Sequence, residues 1–272
     1  MSSMPASLPA AAAGNSPAPT WTLRHTLGQL AIVIAIGVRG VATPGLNLSR
    51  LANWLINLVL FVAFLLVVGH GVTGRPLGLL IDERKKVSLS RLQMVLWTLV
   101  ILSGLLTAAL SNISLFIAAL SNADLQKQLG PGFAPLAIVL SPNVWLLMGI
   151  STTSLIGSPL IKSGKMAQGK IDTRDDVDDA ELADLFRGEE LSNYDVLDLA
   201  KVQMFFFTLV LVLTYAVMLG AMMSPGASSL NTPITRLPDL DPSMITLLGI
   251  SHAGYLANKA IPHAAPPPQP AG

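Results

Sequence analysis

Apolar residues in this chain come in long runs, and few positions alternate as a half-buried strand would require. Five runs are long enough to cross a bilayer as helices, at 51–69, 92–110, 143–161, 203–223 and 243–261. Nineteen helical residues rise roughly 28 Å, close to the thickness of the hydrocarbon layer. The pattern predicts an all-α, multi-pass transmembrane helical bundle. The third and fifth runs carry Ser, Thr, Gly and, in the fifth, His252, so a re-entrant or interfacial placement stays open for both. Ile113 to Leu120 either extends the second helix or lies on the membrane surface. A sixth apolar stretch, Leu27 to Val38, follows Arg24 and His25 and precedes Gly40-Val41-Ala42, so 23–43 reads as a signal-like segment or an additional transmembrane helix. The apolar stretch ends at Arg39 after a long leading region, which favours the retained helix. The Ala, Pro and Ser tracts at 1–22 and 262–272 lack apolar periodicity and read as disordered tails.

Composition agrees with insertion in lipid: 51% of residues are hydrophobic and 12% charged. The formal net charge of +1 conceals clustering, because 11 of the 16 acidic residues lie between Asp172 and Asp198. Nothing in that balance attracts nucleic acid. The absence of cysteine excludes disulfides, thiolate nucleophiles and cysteine metal sites.

Loops rich in Lys and Arg stay in the cytoplasm. Loop 70–91 holds Arg75, Arg84, Lys85, Lys86 and Arg91, and loop 162–201 holds Lys162, Lys165, Lys170, Arg174, Arg187 and Lys201. The alternate loops 121–142 and 224–242 hold one each, Lys127 and Arg236. The first pair of loops and the C-terminus are therefore expected in the cytoplasm, with the protein in a bacterial inner membrane.

Two blocks recur along the chain. Residues 91–100, RLQMVLWTLV, match 201–210, KVQMFFFTLV, and Ser141-Pro142 with 147–151, LMGIS, match Asp241-Pro242 with 247–251, LLGIS. The order predicts two tandem parallel hairpin repeats, 92–161 and 201–261, related by an axis along the membrane normal. Ser141 and Asp241 are favourable N-caps, each followed by a proline at the first helical position. Gly149, Thr153 and Gly157, matched by Gly249, Ala253 and Ala257, recur every four residues and predict helix-packing stripes. Arg91 and Lys201 would anchor the outgoing helices at the interface. Gln93 and Gln203 would sit about one turn inside, where an amide needs a partner.

His252 is the ionisable residue well inside a span, and an interhelical hydrogen bond is the favoured reading over proton transfer, since no second titratable group is near it in sequence. Between the repeats, the acidic loop 162–200 carries Asp175, Asp176, Asp178 and Asp179, without the mid-loop Gly or ligand spacing of a calcium-binding EF-hand. Its residues 178–186 fit a short amphipathic helix with Leu182, Leu185 and Phe186 on one face, docking on a partner or on the chain's own hairpins, and Arg187-Gly188-Glu189-Glu190 fits its end. Arg84-Lys85-Lys86 is an orientation signal, or a partner for the acidic segment or for anionic lipid. No Walker loop, HExxH, GxSxG or dinucleotide fingerprint occurs, and pairing Ser151 with His252 as nucleophile and base is unspecific. No catalytic residue, cofactor or metal is therefore expected. The expected function is that of a non-enzymatic membrane scaffold or assembly subunit. Its expected partners are the lipid bilayer, a cytoplasmic protein at loop 163–200 and a second copy of the chain. The alternative is a pore or small-solute transporter subunit built from the repeats.

Overall fold

The computed structural model describes residues 21–46, 48–166, 174, 176–224 and 231–261. Residues 1–20 of the expected tail 1–22, the expected tail 262–272, and Asp175 of the acidic loop lie outside them. Among the described residues there are seven α-helices and no strand: α1 (Leu23–Leu46), α2 (Arg50–Thr73), α3 (Leu89–Ala119), α4 (Ala123–Leu129), α5 (Pro142–Met166), α6 (Leu199–Met223) and α7 (Pro242–Ala260). Four of them, α2, α3, α5 and α6, are long and apolar enough to cross a membrane.

Helix starts follow local chemistry. Asp198 accepts from the N–H groups of Ala200 and Lys201 to cap α6, and Asp241, ahead of Pro242, accepts from Ser243 to cap α7. The Ser141 hydroxyl accepts from Val144 N–H at the start of α5. Helix α3 runs unbroken through Ile113 to Ala119, so that stretch extends the helix. The following loop contains the unexpected short helix α4, capped by Asn122.

Helix α1 packs along α2 and α3, and α3, α5, α7 and α6 close a ring in which each helix packs on the next. Its core includes Trp97, Ile101, Leu147, Tyr215, Leu219 and Leu248. A two-fold rotation along the bundle that carried α3 onto α6 and α5 onto α7 would set each pair diagonally across this ring. The structure makes each pair neighbours instead.

Burial patterns are displaced in the same sense. The sequence blocks match at spacings of 110 and 100 residues. Yet each buried residue of α6 lies 111 residues after a buried residue of α3, as Lys201 does to Ser90, Met204 to Gln93 and Leu219 to Ala108. Likewise Leu248, His252, Tyr255 and Lys259 of α7 lie 101 residues after the buried Leu147, Ser151, Ser154 and Ser158 of α5. One residue turns a helix by about 100°. The second hairpin therefore presents a different face from the one its sequence match implies: Gln93 is buried and Gln203 is exposed.

The same rotation corrects the expected packing stripes. Gly149, Thr153, Ala253 and Ala257 are exposed, while Gly157 and Gly249 are half-buried. A Cβ on Gly149 would meet nothing within 4 Å, and Cβ atoms on Gly157 and Gly249 would make ordinary contacts with Leu256 at 3.6 Å and Ile150 at 3.7 Å. The α5 face that is buried carries Val144, Leu147, Ser151, Ser154 and Ser158 at helical spacing. Its small hydroxyl residues occupy the close approach that the glycines were expected to fill.

Candidate functional site

At the end of the bundle where α2, α5 and α7 finish and α3 and α6 begin, the connecting loops carry most of the charge. The first, between α2 and α3, makes a tight turn closed by an antiparallel bridge between Ile81 and Val87. Asp82 Oδ1 accepts from Arg84 N–H at 2.9 Å, and Asp82 Oδ2 accepts from Arg84 Nη2 at 2.9 Å and Lys162 Nζ at 2.9 Å.

The second loop, between α5 and α6, folds onto the chain's own helices. Its expected amphipathic helix is instead two 3₁₀ turns, Val177–Asp179 and Leu182–Leu185. Arg75 Nη1 donates to the carbonyls of Val177, Asp178 and Ala180, so the first turn docks on the α2 end of the bundle. The buried Asp184 accepts from Val87 N–H, Glu181 N–H and Arg174 Nη2, tying the two loops together. Leu185 is buried and Phe186 packs edge-on against Phe205 of α6. Asp176, Asp178, Asp179 and Leu182 remain exposed.

Beyond Phe186 the chain turns back on itself, with Arg187 bridged to Leu197. A Cβ on Gly188 would fall 2.2 Å from the Asn193 carbonyl oxygen, so only glycine fits there without shifting backbone. This turn drives Glu189 and Glu190 inward. Glu189 lies 2.6 Å from Lys259 Nζ, 3.3 Å from Lys201 Nζ, 3.4 Å from Arg84 Nη2 and 3.8 Å from Lys162 Nζ. Glu190 accepts from Lys165 Nζ at 2.5 Å. Lys259 Nζ also donates to Ser158 Oγ at 2.5 Å and Tyr255 Oη at 2.9 Å, and Lys201 Nζ donates to the Arg187 carbonyl at 2.6 Å. One carboxylate thus joins α5, α6, α7 and the first loop.

Burial pushes the Glu189 carboxyl up, but the charges of Lys259, Lys201, Lys162 and Arg84 hold it well below the usual carboxylate range. Burial acts on Asp82 in the same direction and is more than reversed by Lys162 and Arg84, which hold it at about 2. Both are anions at neutral pH, enclosed by cations. Within this cluster Arg84, Lys162, Lys165, Lys201 and Lys259 outnumber Asp82, Glu189 and Glu190, leaving the cluster itself with an excess of positive charge.

Next to the cluster, a cavity of 470 Å³ lies between α2, α3 and α5, with Arg84, Ser90, Arg91 and Lys162 toward the loops and Leu65, Met94 and Leu155 farther along the helices.

Comparison of the chain with family models, curated proteins and solved structures finds no match. Its own geometry therefore carries the functional reading.

The residues expected as intramembrane polar groups divide. His252 Nδ1 lies 2.9 Å from the Leu248 carbonyl and Nε2 3.1 Å from the Gln93 side-chain amide, which also bonds Thr208. This is an interhelical link joining α3, α6 and α7, and it occupies both ring nitrogens. The Ser151 hydroxyl is buried without a hydrogen-bond partner among the described residues. Gln203 takes no part.

Sequence reasoning missed Asp82, Glu189, Glu190 and Lys259 and read Lys162 and Lys201 as orientation and anchoring charges. One signal was visible: a lysine or arginine stands at the loop end of every ring helix, as Arg91, Lys162, Lys201 and Lys259. Like charges brought to one end of a bundle need a counter-charge when they are buried.

Proposed function

We propose that the chain is a non-enzymatic membrane scaffold or assembly subunit of a bacterial inner membrane, with the charged end and the C-terminus in the cytoplasm. Its loop 174–198 is a rigid docking element for a cytoplasmic protein. The observation that carries the reading is the Glu189 clamp, which joins the loop to three helices. A loop held in one conformation loses little entropy when a partner binds. Outward of the clamp, Asp176, Asp178 and Asp179 lie beside exposed Leu182, and Leu191, Tyr194, Val196 and Leu197 are exposed across the following turn. Apolar side chains grouped on an exposed loop are a common feature of protein contact surfaces. The sequence matches support descent of the two hairpins from one duplicated pair that later diverged in packing.

A photo-crosslinking residue at Leu182 or Tyr194, introduced in cells, tests the docking role. The expected result is one discrete protein adduct at both positions, lost in Glu189→Ala while the protein still assembles in the membrane. Adducts to lipid or to the same chain alone would refute the role. Single cysteines at Leu191 and Asn231 test the orientation, since the chain has none of its own. Labelling of both from one side of sealed cells would refute it.

A second reading, a pore subunit, rests on the hydroxyls of Ser151, Ser154 and Ser251, which are buried inside the ring without hydrogen-bond partners. Solute flux into liposomes carrying the purified protein would favour it over the scaffold.

A further inference from the structure

The cavity between α2, α3 and α5 is polar at its loop end and apolar along its helices. Leu65 of α2, Met94 and Val95 of α3, and Leu155 and Pro159 of α5 form the apolar wall. At the other end stand Arg84, Ser90 and Arg91. Two of these hold buried donors without a partner among the described residues, Arg84 Nη1 and Ser90 Oγ, in side chains that are almost wholly enclosed. Arg91 makes no ion pair or hydrogen bond among the described residues and is half-buried. Buried donors left unpaired cost free energy, so the site is incomplete as it stands, and Arg91 adds a charge with no counter-ion at the same end of the cavity.

An anion completes it. Asp82 and Glu83 also line the cavity, but Asp82 is neutralised by Lys162 and Arg84, and Glu83 is exposed. The ion cluster behind the wall keeps its excess of cations. Guanidinium groups match phosphate oxygens in geometry as well as charge.

The apolar wall decides which anion. Helices α2 and α5 each pack on α3 but form no packed pair with each other, so the cleft over α3 lies between two helices that are both apolar enough to span a membrane. A soluble phosphate would leave that wall without a partner. We propose that the cavity binds an anionic phospholipid, with its phosphate at Arg84, Ser90 and Arg91 and the first part of an acyl chain along Leu65, Met94 and Leu155. The site needs only that the chain spans a membrane, and it is independent of the docking role of loop 174–198.

The full chain in nanodiscs provides the test. Phosphatidylcholine discs with and without phosphatidylglycerol would be compared by the lipid retained in native mass spectrometry and by the thermal unfolding midpoint. The expected result is one phosphatidylglycerol retained and a higher midpoint in discs that contain it. Arg91→Gln should lower retention about ten-fold, the loss of one charge-assisted phosphate contact. Leu155→Trp, which fills the apolar wall without altering charge, should abolish retention, and Lys127→Gln at the opposite end should not change it. Equal retention of phosphatidylglycerol and phosphatidylcholine, or unchanged retention in Leu155→Trp, would overturn the proposal. Stabilisation by inorganic phosphate in phosphatidylcholine discs equal to that by phosphatidylglycerol would also overturn it, assigning the cavity to a soluble anion.

Discussion

The two ends of the bundle fasten their loops by different chemistry. At the charged end, Asp82 of the first loop and Glu189 and Glu190 of the second draw Arg84 and the lysines of three helices into one buried network. At the other end, the buried Asn112 donates to the carbonyls of Pro135 and Ile234 and accepts from Ile234 N–H, while Val139 N–H donates to the Thr235 carbonyl and Leu237 N–H to the Val139 carbonyl across the two loops. Arg50 adds a bond to the Thr232 carbonyl. The charged lock depends on every partner keeping its ionisation, whereas the amide lock has no group at its centre that titrates. The first should respond to pH and to the loss of one charge, and the second chiefly to the loss of shape.

The largest effect is expected at Glu189. Glu189→Ala leaves four cations converging on an empty centre, and removing one partner of a buried ion pair costs about 3–5 kcal/mol. Thermal unfolding in detergent should show that loss, together with faster proteolysis at Arg187. Replacing Glu189 and Lys259 together with Met should recover part of it. A loss in Glu189→Ala no greater than that of an exposed carboxylate, such as Asp179→Ala, would show that the network does not hold the loop.

Asp82 should make the charged end sensitive to acid. Its folded pKa of about 2 lies below the unfolded value of about 3.9, so its contribution is complete above pH 4 and is lost as pH falls toward 2. The shift corresponds to about 2.5 kcal/mol. Asp82→Asn should lower stability at pH 7 by about that amount and flatten the acid limb of the unfolding profile between those values. An acid limb of unchanged steepness in Asp82→Asn would rule Asp82 out as its source. The next effect in size belongs to the amide lock: Asn112→Ala should cost about 2 kcal/mol at every pH in that range, because it strands the buried N–H and carbonyl of Ile234 and the part-buried carbonyl of Pro135. A pH-dependent loss there would erase the contrast between the ends.

How much of this could be read from sequence depends on the range of the interactions. The apolar runs that became α2, α3 and α6 are local and continuous, and the starts of α5 and α7 were marked by Ser141-Pro142 and Asp241-Pro242. The buried faces were harder to read, because α5 has small residues on two of them: Gly149, Thr153 and Gly157 on one, Ser151, Ser154 and Ser158 on the other. A rotation of one residue exchanges these faces, and composition cannot tell them apart. Glu189 was hidden for a different reason. Its partners Arg84, Lys162, Lys201 and Lys259 are distant in sequence, and their number served equally well as an orientation signal.

The smallest expected effect falls between the ends, at Gln93, and it tests the rotation directly. The Gln93 amide bridges Thr208 on α6 and His252 on α7. His252 Nδ1 faces the Leu248 carbonyl, so in the neutral ring that nitrogen carries the proton and Nε2 accepts. The bridge is fully satisfied when the Gln93 amide nitrogen donates to His252 and its oxygen accepts from the Thr208 hydroxyl, since the two ends of an amide have the same shape. Interhelical hydrogen bonds in membranes average about 0.6 kcal/mol, and leucine fills nearly the same volume, so Gln93→Leu should lower stability by about 1 kcal/mol or less. Gln203→Leu, at the place matched in sequence but exposed in structure, should lower it by nothing measurable. Thermal unfolding of the two variants in the same detergent separates the alternatives. Equal losses would mean that the hairpins pack as the sequence blocks align; a loss confined to Gln93 would support the packing offset by one residue.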